Sequence, residues 1–267
     1  LVFAALKNGK HVITANKALI AHHGKAISHT AEAAGVSFSY EAAVAGGIPI
    51  IKSLREGLAG NKLSRIYGIL NGTCNYILTA MSEQSREFKE ILAECQRLGY
   101  AEADPSFDID GIDTAHKLAI LASVAFGGEV NFEAVHVEGI RHISAMDMQF
   151  AEELGFRIKL LGIASIQDNG LEQRVHPCMV PVANPIANVS GSLNAVVADG
   201  DFVGTIIQEG AGAGAGPTAS ALASDIVDIA RGLRVPVFGF PAEQLKLRLP
   251  VPMQLHKGAY YIRLMVV

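Results

Sequence analysis

Apolar positions along this chain change their period several times, and each change predicts a new element. Val2, Ala5 and Leu6 share one face of a helix end, and His11 to Thr14 then reads as a strand. A helical pattern over about 24–34 leads to a second strand, Val36 to Tyr40. Strands and helices alternating at this spacing predict a parallel α/β unit. Pro49 stands near the first turn of a helix over about 49–58, and Lys62 to Leu70 is a strand. The run Asn71 to Tyr76 opens a helix that Thr73 can cap, and a further helix covers about Arg86 to Arg97. Between 156 and 209 the pattern turns strand-like, in four stretches: Arg157 to Gln167, Leu171 to Pro181, Leu193 to Asp199 and Phe202 to Glu209. Asp168-Asn169-Gly170 is a hairpin signal between the first two. A helix over about 217–231 follows, and 232–258, rich in proline and basic side chains, reads as a linker. The class predicted is α/β, α+β overall, with a mixed sheet after the parallel unit.

The stretch from Gly99 to Lys117 departs from this regular alternation. It carries five carboxylates (Glu102, Asp104, Asp108, Asp110 and Asp113) before Lys117, then runs into the apolar block Leu118 to Phe126. Gly99, Pro105 and Gly111 mark its first part as an ordered loop, and Asp110 is the expected cap of a helix that follows. On that helix Asp110, Asp113 and Lys117 fall on one stripe. Its other positions are mostly apolar, so it is expected to be buried, where charges are costly unless paired or used. An N-cap and an ordinary Asp–Lys pair explain the stripe alone. They do not explain Glu102 and Asp104 beside Pro105, whereas a pocket that holds an ammonium group and presents a lysine to a reacting oxygen needs these residue types.

Three further places carry candidate chemistry. Lys17 follows the first strand directly, at the edge of an open α/β sheet where ligands bind. The turn Glu41 to Pro49 combines a carboxylate with adjacent glycines, which suits a hard cation and serves equally well as a tight connection. Gly210, Gly212 and Ala215 match a G-x-G-x-x-A pattern between strand and helix. No acidic residue stands about twenty positions further on and too little chain remains for a full βαβ unit, so the match is weak as a dinucleotide fingerprint.

Composition narrows the class. The chain has 267 residues, 50% of them hydrophobic, and a net charge of −4, which gives no basic footprint for nucleic acid. No apolar run has the length to span a bilayer. Cys74, Cys95 and Cys178 show neither paired nor metal-ligand spacing, and a reducing cytoplasm is the expected setting. The start at Leu1 inside a helical pattern and the end at Val267 inside an apolar run predict a fragment.

The motifs LGYAEADPSFDIDGIDTAHK, TANKAL, EAAVAGGIPIIKSLREGL and GILNGTCNYIL together resemble the homoserine dehydrogenase family over about residues 1–235. The resemblance implies a partial Rossmann-like nucleotide-binding domain (1–40) and a mixed-sheet substrate-binding and dimerisation domain (41–209). It further implies a return segment (210–235) and, from 236 to 267, a linker with the opening strand of an ACT regulatory domain. The implied activity is NAD(P)-dependent interconversion of aspartate 4-semialdehyde and homoserine by a homodimer or higher homo-oligomer. Lys117 is the first candidate proton donor, with Lys17 assisting near the nicotinamide. Glu102 and Asp113 would hold the substrate ammonium and Asp108 would support them. Gly212 would close over the nicotinamide. A sodium ion would lie at Glu41 and the main-chain oxygens of Val44, Gly46 and Ile48. Cys74, near a helix N-terminus, leaves an alternative open: an aspartate-semialdehyde dehydrogenase-like enzyme with a cysteine nucleophile. A non-catalytic dimerisation and ligand-binding fragment is the other rival.

Overall fold

The computed structural model describes residues 1–99 and 101–264. Its first part is a small parallel unit: α1 (Val2–Lys7), β1 (Val12–Ile13), α2 (Lys17–Ala33) and β2 (Phe38–Ser39). The two strands pair in parallel, Val12 with Phe38 and Ile13 with Ser39. Helix α2 starts well before the expected 24, because the Asn16 side chain accepts the Leu19 N–H and caps it there. Ile20, Ile27 and Ala31 fill the core from one face of α2.

The second part is a six-stranded mixed sheet in the order β4-β6-β5-β3-β7-β8. Its strands are β3 (Leu63–Ile69), β4 (His136–Val137), β5 (Phe156–Gln167), β6 (Gly170–Pro181), β7 (Leu193–Gly200) and β8 (Gly204–Ala211). β5 and β6 form the long hairpin, in register from Phe156–Pro181 to Gln167–Gly170 around Asp168 and Asn169. Helices α4 (Gly72–Gln84), α7 (Ile112–Phe126) and α8 (Ala145–Glu153) pack on β5. The short helix α3 (Ile50–Lys52) continues into a wider π turn (Ser53–Gly57), α5 spans Phe88–Arg97, and α6 is a single turn, Ser106–Ile109. A second, smaller cluster (Ile69, Leu161, Val180, Ile186, Val189, Val197) gathers under the turn at Pro185–Asn188.

After β8, helix α9 (Ala215–Ala230) packs back on β1 and on the turn at Glu41–Ala43. Most of its surface is exposed, and Ala221 and Asp225 are its buried residues.

Three expectations are corrected here. Asn71, not Thr73, caps α4, its side chain accepting the Cys74 N–H. Asp110 does not cap α7; it closes α6 and pairs with Arg141, while Gly111 at φ 86° makes the sharp entry into α7. Placing Asp110 on the stripe would need helical backbone at 111, and the left-handed Gly111 interrupts it. The stretch 232–258 is no free linker. Val237, Phe238, Leu245 and Val251 are buried, and the Tyr40 hydroxyl donates to the Val237 carbonyl at 2.9 Å. Leu171 N–H donates to Leu249 O, and Val251 N–H donates to Leu171 O. Prolines keep this segment extended, and its spaced apolar residues tie it down as a strap. Residues 256–264 run without a paired strand, and 265–267 lie outside the described residues. Helix α8, which periodicity missed, is set by a capping box between Ser144 and Asp147.

Candidate active site

Helix α7 is hydrophobic almost all round, and Leu118, Ala119, Ile120, Leu121 and Ala122 are buried. Asp113 is in its first turn and only 4% exposed. A lone charge there would be heavily penalised, yet this one has three partners. Lys17 Nζ lies 3.0 Å from Oδ1, and Lys117 Nζ and Asn71 Nδ2 donate to Oδ2 at 2.7 and 2.9 Å. The lysines come from two parts of the chain: Lys17 opens α2 just after β1, and Lys117 is one turn further along α7.

Electrostatics follow from this geometry. Burial pushes the Asp113 carboxyl up, but the charges of Lys117 and Lys17 with the lysine and Asn71 hydrogen bonds hold it below the usual range. Asp108 lies next to it, half-buried, with Asn71 Nδ2 donating to its Oδ1 at 2.8 Å. Burial raises the Asp108 carboxyl, and the Asn71 hydrogen bond opposes that rise. Two carboxylates thus face two ammonium groups in one cluster.

An ammonium has three donors. Lys117 directs one to Asp113 and one to the Leu70 carbonyl, at 2.7 Å each, which leaves a third for a bound oxygen. Lys17 also sits over the Phe107 ring, 5.4 Å from its centre, a cation–π contact. The rings of Phe107 and Phe132 close on His116 at 5.6 and 4.3 Å, and burial, then His22 and Lys17, keep that imidazole toward its neutral form.

Of the residues expected from the sequence, Lys17, Asp108, Asp113 and Lys117 come together. Glu102 does not join them. It is exposed on the loop, its carbonyl accepts Gln96 Nε2, and its carboxylate bonds to none of the other four. Asn71, Leu70 and Phe107 were missed. The Asn-Gly-Thr sequence after a strand signals a capping asparagine, and nothing local signals its second task.

Cys74 is fully buried and its Sγ donates to the Asp108 carbonyl. Burial, with Asp108 and Asp113 adding to it, pushes its thiol well above the ordinary range. A nucleophilic thiolate is disfavoured there, so the cysteine alternative is set aside.

At the 41–48 turn, Glu41 is 3% exposed. Its two carboxylate oxygens accept the N–H groups of Ile51 and Lys52, at 2.8 and 3.0 Å, and so cap the start of α3. Ala45 and Gly46 follow in left-handed backbone, at φ 55° and 44°. The turn rests on the glycine-rich segment: Gly47 N–H donates to Ala211 O, and a side chain at Gly46 would strike the Gly212 carbonyl at 2.5 Å. Gly212 is required by a second neighbour, because a Cβ there would run into the amide of Asn194. That amide is buried, and neither of its polar atoms has a partner among the described residues. Among the described residues no group of three or more His, Cys, Asp or Glu is placed to hold a metal ion.

Sequence comparison decides the family. The homoserine dehydrogenase family model matches residues 49–227, and the NAD-binding domain model of homoserine dehydrogenase matches 1–41. The chain belongs to the homoserine dehydrogenase family. A homoserine dehydrogenase of Pseudomonas aeruginosa is 50% identical over 270 residues, covering 99% of this chain and 62% of the relative. The crystal structure of a homoserine dehydrogenase from Thiobacillus denitrificans superposes with a TM-score of 0.91 at 52% identity, over 94% of this chain and 60% of that one. A hyperthermophilic archaeal homoserine dehydrogenase in complex with NADPH gives a TM-score of 0.77 at 32% identity, over 87% and 68%. The chain therefore spans about 62% of the length of that curated relative. Among its described residues no helix is long and apolar enough to cross a membrane.

Proposed function

We propose that the protein interconverts aspartate 4-semialdehyde and homoserine with NAD(P), and that Lys117 supplies the proton in the reductive direction. The observation that carries this reading is the Lys17–Asp113–Lys117 cluster, inside a chain of this family. Reduction of an aldehyde needs a hydride and a proton for the nascent alkoxide. NAD(P)H supplies the hydride when bound. The chain's own residues do the rest. Asp113 aims both ammonium groups, Lys117 presents its remaining N–H to the carbonyl oxygen, and Lys17 adds positive charge beside it. Asp108 receives the substrate's ammonium group, with Glu102 swinging in from its exposed loop.

The residues present fit a dinucleotide at one end. Lys17 stands at the carboxyl edge of β1, and Gly212 packs against the buried Asn194 amide, whose polar atoms have no partner among the described residues. The proposed sodium ion requires one change. The Glu41 carboxylate is committed to α3, so main-chain oxygens of Val44, Gly46 and Ile48 would hold the ion and Glu41 would supply charge from behind. A cytoplasmic homodimer completes the proposal, and residues 256–267, at the end of the strap, are its proposed ACT-domain start.

The test is homoserine oxidation by the intact protein, followed by cofactor absorbance. Activity should be saturable, and Glu102→Ala should raise KM for homoserine roughly ten- to a hundredfold, as for loss of a charged hydrogen bond. No turnover with either NAD or NADP would overturn the reading.

A further inference from the structure

We propose that Asn71 is a positioning residue of this reaction: its amide fixes Asp108 against Asp113 and thereby sets the carboxylate geometry that receives the substrate's ammonium group. The inference rests on the homoserine dehydrogenase reading and adds a residue to it.

Asn71 is 5% exposed, at the junction of β3 and α4. Its side chain has two amide protons, and each goes to a different carboxylate: Asp108 Oδ1 at 2.8 Å and Asp113 Oδ2 at 2.9 Å. Its own oxygen accepts the Cys74 N–H at 2.8 Å. These three partners fix which end of the amide is which, because the reversed orientation would set an oxygen against two carboxylates and an NH2 against an N–H. The group is thus a rigid spacer between two like charges that would otherwise repel. Because the same oxygen caps α4, the spacer is anchored to a 13-residue helix rather than to a loop. The preceding residue, Leu70, gives its carbonyl to Lys117. One dipeptide at the end of β3 therefore places both carboxylates and the proposed proton donor.

The charged and titratable groups that act on Asp108 are Asp113 and Lys117 from α7 and Lys17 from α2, with the Cys74 thiol of α4 on its carbonyl. Asn71 is the neutral member, and its donation favours the ionised form of Asp108.

Asn71→Asp separates positioning from capping. Aspartate caps a helix as well as asparagine does, but it offers an acceptor where two carboxylates need a donor. Asn71→Ser is the second variant, with cap retained and both donations lost. Kinetics of the intact protein should show KM for homoserine raised roughly ten- to a hundredfold, with KM for the cofactor within about twofold of wild type. The acid limb of kcat/KM should move to higher pH in both variants, since Asp108 then ionises less readily. Folded variants with wild-type KM for homoserine and an unmoved acid limb would overturn the inference. So would losses that affect homoserine and cofactor alike in step with a lowered Tm, which mark a merely structural residue. Wild-type protein without homoserine oxidation would sink the functional reading and this inference with it; active wild type with indifferent Asn71 variants sinks the inference alone.

Discussion

Asp113 and Glu41 are equally buried, 4% and 3% exposed, and their surroundings drive them in opposite directions. At Asp113 two lysine ammonium groups overcome the effect of burial and the carboxylate stays ionised. At Glu41 two backbone N–H groups and the more distant Arg55 oppose burial, with Asp225 adding to it, and the carboxyl is pushed up to about 7. Hydrogen bonds from neutral amides stabilise a buried carboxylate less than full opposite charges do. The first arrangement makes a permanently charged anchor that aims two cations. The second makes a joint between the 41–48 turn, α3 and α9, where Asp225 accepts the Glu41 N–H at 3.0 Å.

The largest effect falls at Asp113. Asp113→Ala leaves Lys17 and Lys117, 29% and 12% exposed, without their buried partner and with only the half-buried Asp108 to offset them. Breaking one partner of a buried pair costs about 3–5 kcal/mol, so denaturant unfolding should show a loss of that order and turnover should vanish. Asp113 carries a depressed carboxyl, so its contribution is present above the ordinary carboxylate range and lost as pH falls through its folded value.

Glu41 behaves in the opposite sense. Its folded value lies above its ordinary one, so folding favours the protonated form and stability declines as pH rises from about 4.5 to about 7. Glu41→Gln should be less stable than wild type at pH 5, because an NH2 then meets a backbone N–H. By pH 8 the gap should narrow or reverse, by on the order of 2–3 kcal/mol. Melts in sodium chloride should show a shallower wild-type slope than melts in tetramethylammonium chloride if the turn carries the proposed ion. Identical slopes would remove sodium from the account.

The smallest effect belongs to the strap. His256 Nδ1 is 2.8 Å from the buried Glu172, which also pairs with Arg174. Glu172 keeps Arg174 when His256 is gone, so His256→Ala should cost about 1 kcal/mol and speed hydrogen exchange in 246–256 while leaving the Asp113 cluster unchanged.

Local pattern made most strands and most helices legible, because the β5–β6 hairpin and the α7 core face follow period and turn chemistry directly, whereas the two-residue β4 is too short to show a period. The pairing of Lys17 with Asp113 was not legible from period, since it joins two helices nearly a hundred residues apart; the quoted family motifs brought both residues into the site. Asp110 misled because one left-handed glycine separates it from the helix it seemed to open. Asn71 was hidden for a related reason: its sequence shows the cap, while its second pair of partners is set by how α6 and α7 meet α4. The strap at 232–258 was obscured by proline and charge, which masked its buried anchors Val237, Phe238, Leu245 and Val251.

In the proposed mechanism Asp113 aims two lysines, of which Lys117 transfers the proton. Steady-state kinetics in both directions for Lys117→Ala and Lys17→Ala test it most directly. Lys117→Ala should depress turnover by about 10²–10⁴-fold with substrate affinity largely kept, and Lys117→Arg should not rescue it, because guanidinium holds its proton throughout. Near-normal turnover in Lys117→Ala, with turnover abolished in Lys17→Ala, would contradict the claim and give the proton to Lys17.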